Sequence, residues 1–255
     1  MKAERKPRWW LRILSAILAI AVLGGAVELV LRAISPGIVA DSVREGLGLT
    51  PDHPVEVSLS GSSLLNALRG GIGGVTVTVP DAPLLEGVSA DGTVRASFVP
   101  FDPTQGEIRD GTAELRVDKE QLGSVVSLLT QGVAQTGEVR DGSLVVGRTL
   151  ELFGQQVPIT ASLGLRVTED GEVEVEPRGA AAAGFDLNAD QLADVGGGIL
   201  RPLLETQTVC VRGNLPAGVE LTGISLSSTG SASITADLSP RILSDPAEQQ
   251  PGSCE

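Results

Sequence analysis

Apolar and polar residues alternate along much of the chain. Val55, Val57 and Leu59 are interleaved with Glu56, Ser58 and Ser60, and Val75, Val77 and Val79 with Thr76 and Thr78. A period of two predicts strands with one face toward a core. The stretches 88–98, 106–117, 138–146, 157–167, 172–176, 219–226 and 232–238 read the same way. Asp-Gly pairs stand at 91–92, 110–111, 141–142 and 170–171. Glycine accepts the positive φ of a tight hairpin, so these pairs predict an antiparallel meander.

Helical spacing interrupts the strands. Ser35-Pro36 suits an N-cap and first helical position; Ile38, Val39, Val43 and Leu47 follow, and Gly48 is the expected stop. A short helix is expected over 62–69 with Leu64, Leu65 and Leu68 inward. Asp118 and Gln121 resemble a capping box ahead of Leu122, Val125, Val126, Leu129 and Val133. Asn188 and Gln191 repeat the pattern ahead of Leu192, Val195, Ile199 and Leu203, weakened by Gly196-Gly197-Gly198. The fold class is therefore α+β: a strongly curved antiparallel sheet wrapping amphipathic helices.

The beginning of the chain is different. Lys2 to Arg12 is basic, and 13–27 is an uncharged, largely apolar run of 15 residues. That pattern directs export. Extended by Trp9–Leu11 and Leu29–Leu31 it reaches spanning length, with Trp9 and Trp10 at the interface and the basic end in the cytoplasm. Cleaved signal and retained single-pass anchor both fit, and either places the body outside the plasma membrane. The expected division is an anchor or signal over 1–34, a domain over 35–240 and a loose, polar, Pro-rich tail over 241–255.

Charge then removes some functions. Residues 1–32 carry a net +4, the whole chain −13, and residues 33–255 therefore −17. Aromatics make up 2% of the chain, with no Tyr. An acidic body without stacking platforms argues against a nucleic-acid partner. Any lipid contact of the body should be local and largely apolar. Two cysteines, Cys210 and Cys254, in an exported chain predict a disulfide.

Catalytic chemistry is sparse. The only histidine, His53, stands between Pro51 and Pro54 without a second histidine or a cysteine nearby, and reads as a solvated loop residue. Glu172, Glu174 and Glu176 share a strand face opposite Val173 and Val175, the pattern of a wet surface. The glycine-rich stretch 69–74 lacks the Lys-Ser/Thr of a phosphate loop and reads as a flexible connector. Neither metal nor cofactor is expected, and the chain reads as a non-enzyme. Aliphatic helix stripes that do not close fully against a sheet would line an apolar groove suited to acyl chains. The candidate lining residues are Ile38, Val39, Val43, Leu122, Val126, Leu129, Leu192 and Leu203.

The order of features resembles a known family. An N-terminal hydrophobic segment leads into Val30-Leu31-Arg32-Ala33-Ile34, then Val55-Glu56-Val57-Ser58-Leu59-Ser60-Gly61 and Leu64-Leu65. Asn214-Leu215-Pro216-Ala217-Gly218-Val219 then turns into a strand pair. Over roughly 28–240 this is similar to the actinobacterial LmeA-type phospholipid-binding proteins, themselves similar in fold to tubular lipid-binding proteins. The resemblance implies phospholipid binding and envelope maintenance, and carries no catalytic residues. The expected partners are a phospholipid or lipid-linked glycan and the plasma membrane. The alternatives are an envelope adaptor with a closed core and an envelope-lipid hydrolase or transferase.

Overall fold

The structure is a computed structural model; it describes residues 36–37, 39–45, 47–85, 88–130, 132–152, 155–182, 185–188 and 205–254. The expected membrane segment lies outside them. Among the described residues no helix is long and apolar enough to cross a membrane.

The strands form two open antiparallel sheets, where the sequence suggested a single curved one. The first runs β1 (Glu56–Leu59), β2 (Gly71–Leu85), β3 (Val88–Pro100), β4 (Gly111–Val117), β12 (Ala232–Leu238) and β11 (Val219–Leu226). The second runs β10 (Gln207–Val209), β8 (Val173–Ala182), β7 (Gln155–Val167), β6 (Ser143–Leu152) and β5 (Thr136–Arg140). A short β9 (Phe185–Asn188) shares the outer edge of β8 with β10. Each sheet thus holds a four-strand meander, β1 to β4 and β5 to β8, and the last two strands return to the first sheet beside β4.

Two of the four Asp-Gly pairs make the expected turns. Asp141 and Gly142 both have positive φ, 50° and 68°, and close the β5–β6 hairpin in two residues. Gly171, φ 73°, closes the β7–β8 turn, its N–H donating to the Thr168 carbonyl. The pair at 91–92 lies inside β3. The ladder slips there between Val79 and Ala82, and the Asp91 carboxylate accepts the Asp81 N–H at 3.0 Å. Asp91 therefore secures a bulge instead of making a turn. Asp110-Gly111 ends a longer β3–β4 connection.

Residues 39–45 are helical and end as expected at Gly48. Its φ is 63°, and Leu49 and Gly48 donate to the carbonyls of Arg44 and Glu45. This paired closure leaves Leu47 exposed, so Leu47 leaves the expected stripe. Helix α1 (Ser63–Leu68) is capped by Ser62, whose hydroxyl accepts the Leu65 N–H. Helix α2 (Lys119–Leu129) starts after Asp118. The Asp118 side chain makes no cap hydrogen bond and faces Arg116 at 3.4 Å, so the capping box does not close. Of the third expected helix, Asn188 ends β9, and 189–204 lie outside the described residues.

Two further expectations are corrected. The glycine stretch is not a connector: Gly71 to Gly74 open β2, with Gly71 paired to Pro100 and Gly73 to Phe98. The tail is not loose. Ala217 and Gly218 donate to the carbonyls of Gln250 and Glu248, Gly252 donates to that of Leu215, and the Cys210–Cys254 disulfide is present. Polar composition hid a backbone-paired segment.

Candidate functional site

Helix α2 packs against both sheets, which also approach each other directly where β11 lies near β7. Leu122, Val125 and Val126 recur at helical spacing, and Glu120 in the first turn suits the positive end of the helix dipole. Leu122 packs with Ala90 and Val117, against Leu115 and Ala232 of the first sheet and Val139 and Leu144 of the second. Val126 lies over Gly137 of β5, where a Cβ would come within 2.6 Å of its Cγ2. The helix end is held by Thr130, whose hydroxyl donates to the Val126 carbonyl and accepts the Ala134 N–H. Val133, expected on the same stripe, is exposed because the helix has already ended.

The candidate groove residues therefore divide. Leu122 and Val126 come together on one face of α2, at 4% and 5% exposure, inside a packed cluster. Val39 and Val43 are half-buried on the helical residues 39–45, beside buried Ala40. Leu129 ends α2, and its side chain lies outside the described structure, as do Ile38, Leu192 and Leu203 entirely.

Elsewhere the apolar faces are covered unevenly: Val75, Val79, Val88 and Val145 are buried, and their neighbours less so. Val57 and Leu59 on β1, Val77 on β2, and Val157, Ile159, Leu163 and Leu165 on β7 are all half-buried. Among the described residues no large side chain falls below 2% exposure.

The polar groups have structural occupations. His53 Nε2 lies 2.8 Å from the Pro80 carbonyl, and the neighbouring Arg44 guanidinium donates to the carbonyl of His53 at 2.9 Å. Together they tie the 50–55 loop to the end of the first helical piece and to β2. Glu174 pairs with Arg166 across the β7–β8 ladder, and Glu176 lies 3.6 Å from Arg178. The acidic face is thus partly ion-paired. No group of three metal-ligating side chains occurs among the described residues.

One corner was missed by sequence reasoning. Helix α1 was expected to turn Leu65 and Leu68 inward, yet they are 58% and 78% exposed. The face of α1 toward β2 carries Asn66, whose amide lies against Gly73, and Leu65 and Leu68 stay in solvent. Phe101 is 60% exposed and adjoins them through its N–H, which donates to the Gly70 carbonyl at 2.9 Å. Beside this apolar rim lies an open cleft of about 680 Å³ lined by Asn66, Arg69, Ser97, Phe98 and Arg109. Its floor depends on missing side chains: a Cβ on Gly71 would overlap the Phe98 ring, and one on Gly73 the Asn66 amide. The signal in the sequence was an Asn-x-x-Arg run leading directly into glycines that pack instead of bending.

A family model for LmeA-like phospholipid-binding proteins matches residues 26–230. The chain belongs to this family. The match takes in both sheets' meanders, α1, α2 and β11, and stops before β12. Neither the curated proteins nor the solved structures yield a match. Membership in the LmeA-like family makes phospholipid binding the coarse function and a binding protein the expected class. Partly covered aliphatic strands suit both.

Proposed function

We propose that this protein holds a phospholipid, or a lipid-linked glycan precursor, by its acyl chains outside the plasma membrane. In this reading the two sheets curve around an elongated apolar space, as in tubular lipid-binding folds, and the N-terminal segment keeps the body at the membrane. Val39 and Val43 contribute one wall, and the half-buried positions of β1, β2 and β7 the other. Ile38, Leu129, Leu192 and Leu203 belong to the same lining. The protein does no bond chemistry: it removes acyl chains from water, with about 0.8 kcal/mol gained for each methylene buried.

Family membership, joined to the half-buried aliphatic positions of β1, β2 and β7, carries this reading. A phospholipid with a photoreactive group in its acyl chain, added to the full chain, tests it. The expected adducts fall on peptides of β1, β2 and β7 and on 39–45. Adducts confined to residues 1–35 would reduce the lipid contact to membrane anchoring and remove the acyl-chain site.

A second reading is an envelope adaptor with a closed core. The tight cluster around Leu122 favours it, because that part of the interior leaves no room for a chain. It predicts a co-purifying protein and no co-purifying lipid.

A further inference from the structure

The corner formed by α1 and the end of β3 combines three features. Leu65 and Leu68 on α1 and Phe101 just after β3 are exposed, and the Phe101 N–H donates to the carbonyl of Gly70, just past the end of α1. Arg69 and Arg109 line the adjoining cleft together with Asn66, Ser97 and Phe98. The Arg109 guanidinium is held over the Phe98 ring, which in turn covers Gly71.

The arginines set this corner apart. Most cations of the body are committed: Arg44, Arg95, Arg116, Lys119, Arg140, Arg166, Arg178 and Arg241 each have a carboxylate within 4.0 Å. Among the described residues Arg69, Arg109, Arg148 and Arg212 have none; Arg69 and Arg109 share one cleft that no carboxylate lines, whereas Arg212 shares its cleft with Asp170 and Glu172. The nearby acids are engaged locally. Asp102 accepts hydrogen bonds from Thr104 and Gln105, and Asp110 accepts one from Ser97 at 2.6 Å. Residues 33–255 carry −17, and that charge would repel an anionic surface nearly everywhere else.

Two unpaired guanidiniums in a cleft suit the phosphates of lipid headgroups. A rim of two leucines and a phenylalanine suits the acyl boundary just beneath those headgroups. We propose that this corner is a docking surface for an anionic phospholipid bilayer, with phosphate in the Arg69–Arg109 cleft and Leu65, Leu68 and Phe101 inserted. It differs from the acyl-chain space above: it contacts the membrane from outside and is independent of whether a lipid is held within.

The chain is well suited to a test by fluorescence, having two tryptophans, Trp9 and Trp10, and no tyrosine. The full chain carrying W9F, W10F and Phe101→Trp is reconstituted in nanodiscs of phosphatidylglycerol or phosphatidylcholine with brominated acyl chains. The expected result is blue-shifted, bromine-quenched emission in phosphatidylglycerol, weaker in phosphatidylcholine. Each arginine near an anionic surface contributes roughly fivefold to partitioning, so R69Q with R109Q should return the anionic discs to the zwitterionic level. L65S with L68S should lower quenching in both, and Leu68→Trp is a second reporter should the first destabilise the fold. Unquenched emission in both lipids would overturn the proposal. Equal quenching unaffected by the arginine pair would also overturn it. So would a response to inorganic phosphate in phosphatidylcholine discs without added quenching, which would mark a soluble-anion site.

Discussion

The guanidinium of Arg109 lies over the ring of Phe98, its central carbon 5.2 Å from the ring centroid. The two residues are also joined through the backbone, Arg109 donating its N–H to the Phe98 carbonyl at 3.0 Å. The ring can occupy this place only because Gly71 beneath it has no side chain. A structural dependence therefore runs from a glycine through an aromatic ring to a charge at the surface.

That dependence makes the glycine stretch sensitive. Gly71→Ala and Gly73→Ala each force a methyl into the Phe98 ring or the Asn66 amide, and each should cost about 1–3 kcal/mol. Gly92→Ala in β3 meets nothing closer than a carbonyl at 4.0 Å and should be near neutral. Chemical denaturation of the three variants checks this; equal stabilities would return the stretch to a connector.

Leucines on the two helices should behave in opposite ways. Leu122→Ala removes a side chain packed between the sheets and should cost about 2–5 kcal/mol. Leu68→Ala, at a largely exposed position, should change stability by less than about 0.5 kcal/mol. Thermal melts distinguish the two. Comparable losses would mean that Leu68 is covered in solution. The burial of Leu122 also means that a charge there would test folding before it tested lipid binding.

The disulfide spans 44 residues and fastens the paired tail to the 210–218 segment. Replacing Cys210 and Cys254 by serine should cost about 2–4 kcal/mol, chiefly by releasing the unfolded chain. Unfolding curves with and without reductant should differ by that amount for the native chain and coincide for the double variant.

Strict alternation between turns was legible: β11 and β12 occupy the very stretches 219–226 and 232–238 whose pattern predicts them. So was the Gly48 stop, a local event that needs only one residue at positive φ. What failed depends on distant partners. Gly71–Gly74 read as a connector because nothing local shows that Asn66 and Phe98 will lie against glycine. Leu65 and Leu68 have the spacing of a buried stripe, but it is Asn66 that α1 lays against β2, at Gly73. The Pro-rich end conceals the pairing of Pro216 with Pro251, because it is made by neighbouring backbone groups that composition does not report. The site was half legible. Leu122 and Val126 do share a face, while the packing that closes around them involves strands up to 110 residues away in sequence, at Ala232.

Native mass spectrometry of the full chain, exported so that Cys210 and Cys254 can oxidise and then stripped of detergent in the gas phase, tests phospholipid holding most directly. One phospholipid or lipid-linked glycan per chain is expected, retained after the detergent has left and identified by organic extraction. A bare mass that stays unliganded after incubation with envelope lipids would contradict phospholipid holding and leave the adaptor reading in its place.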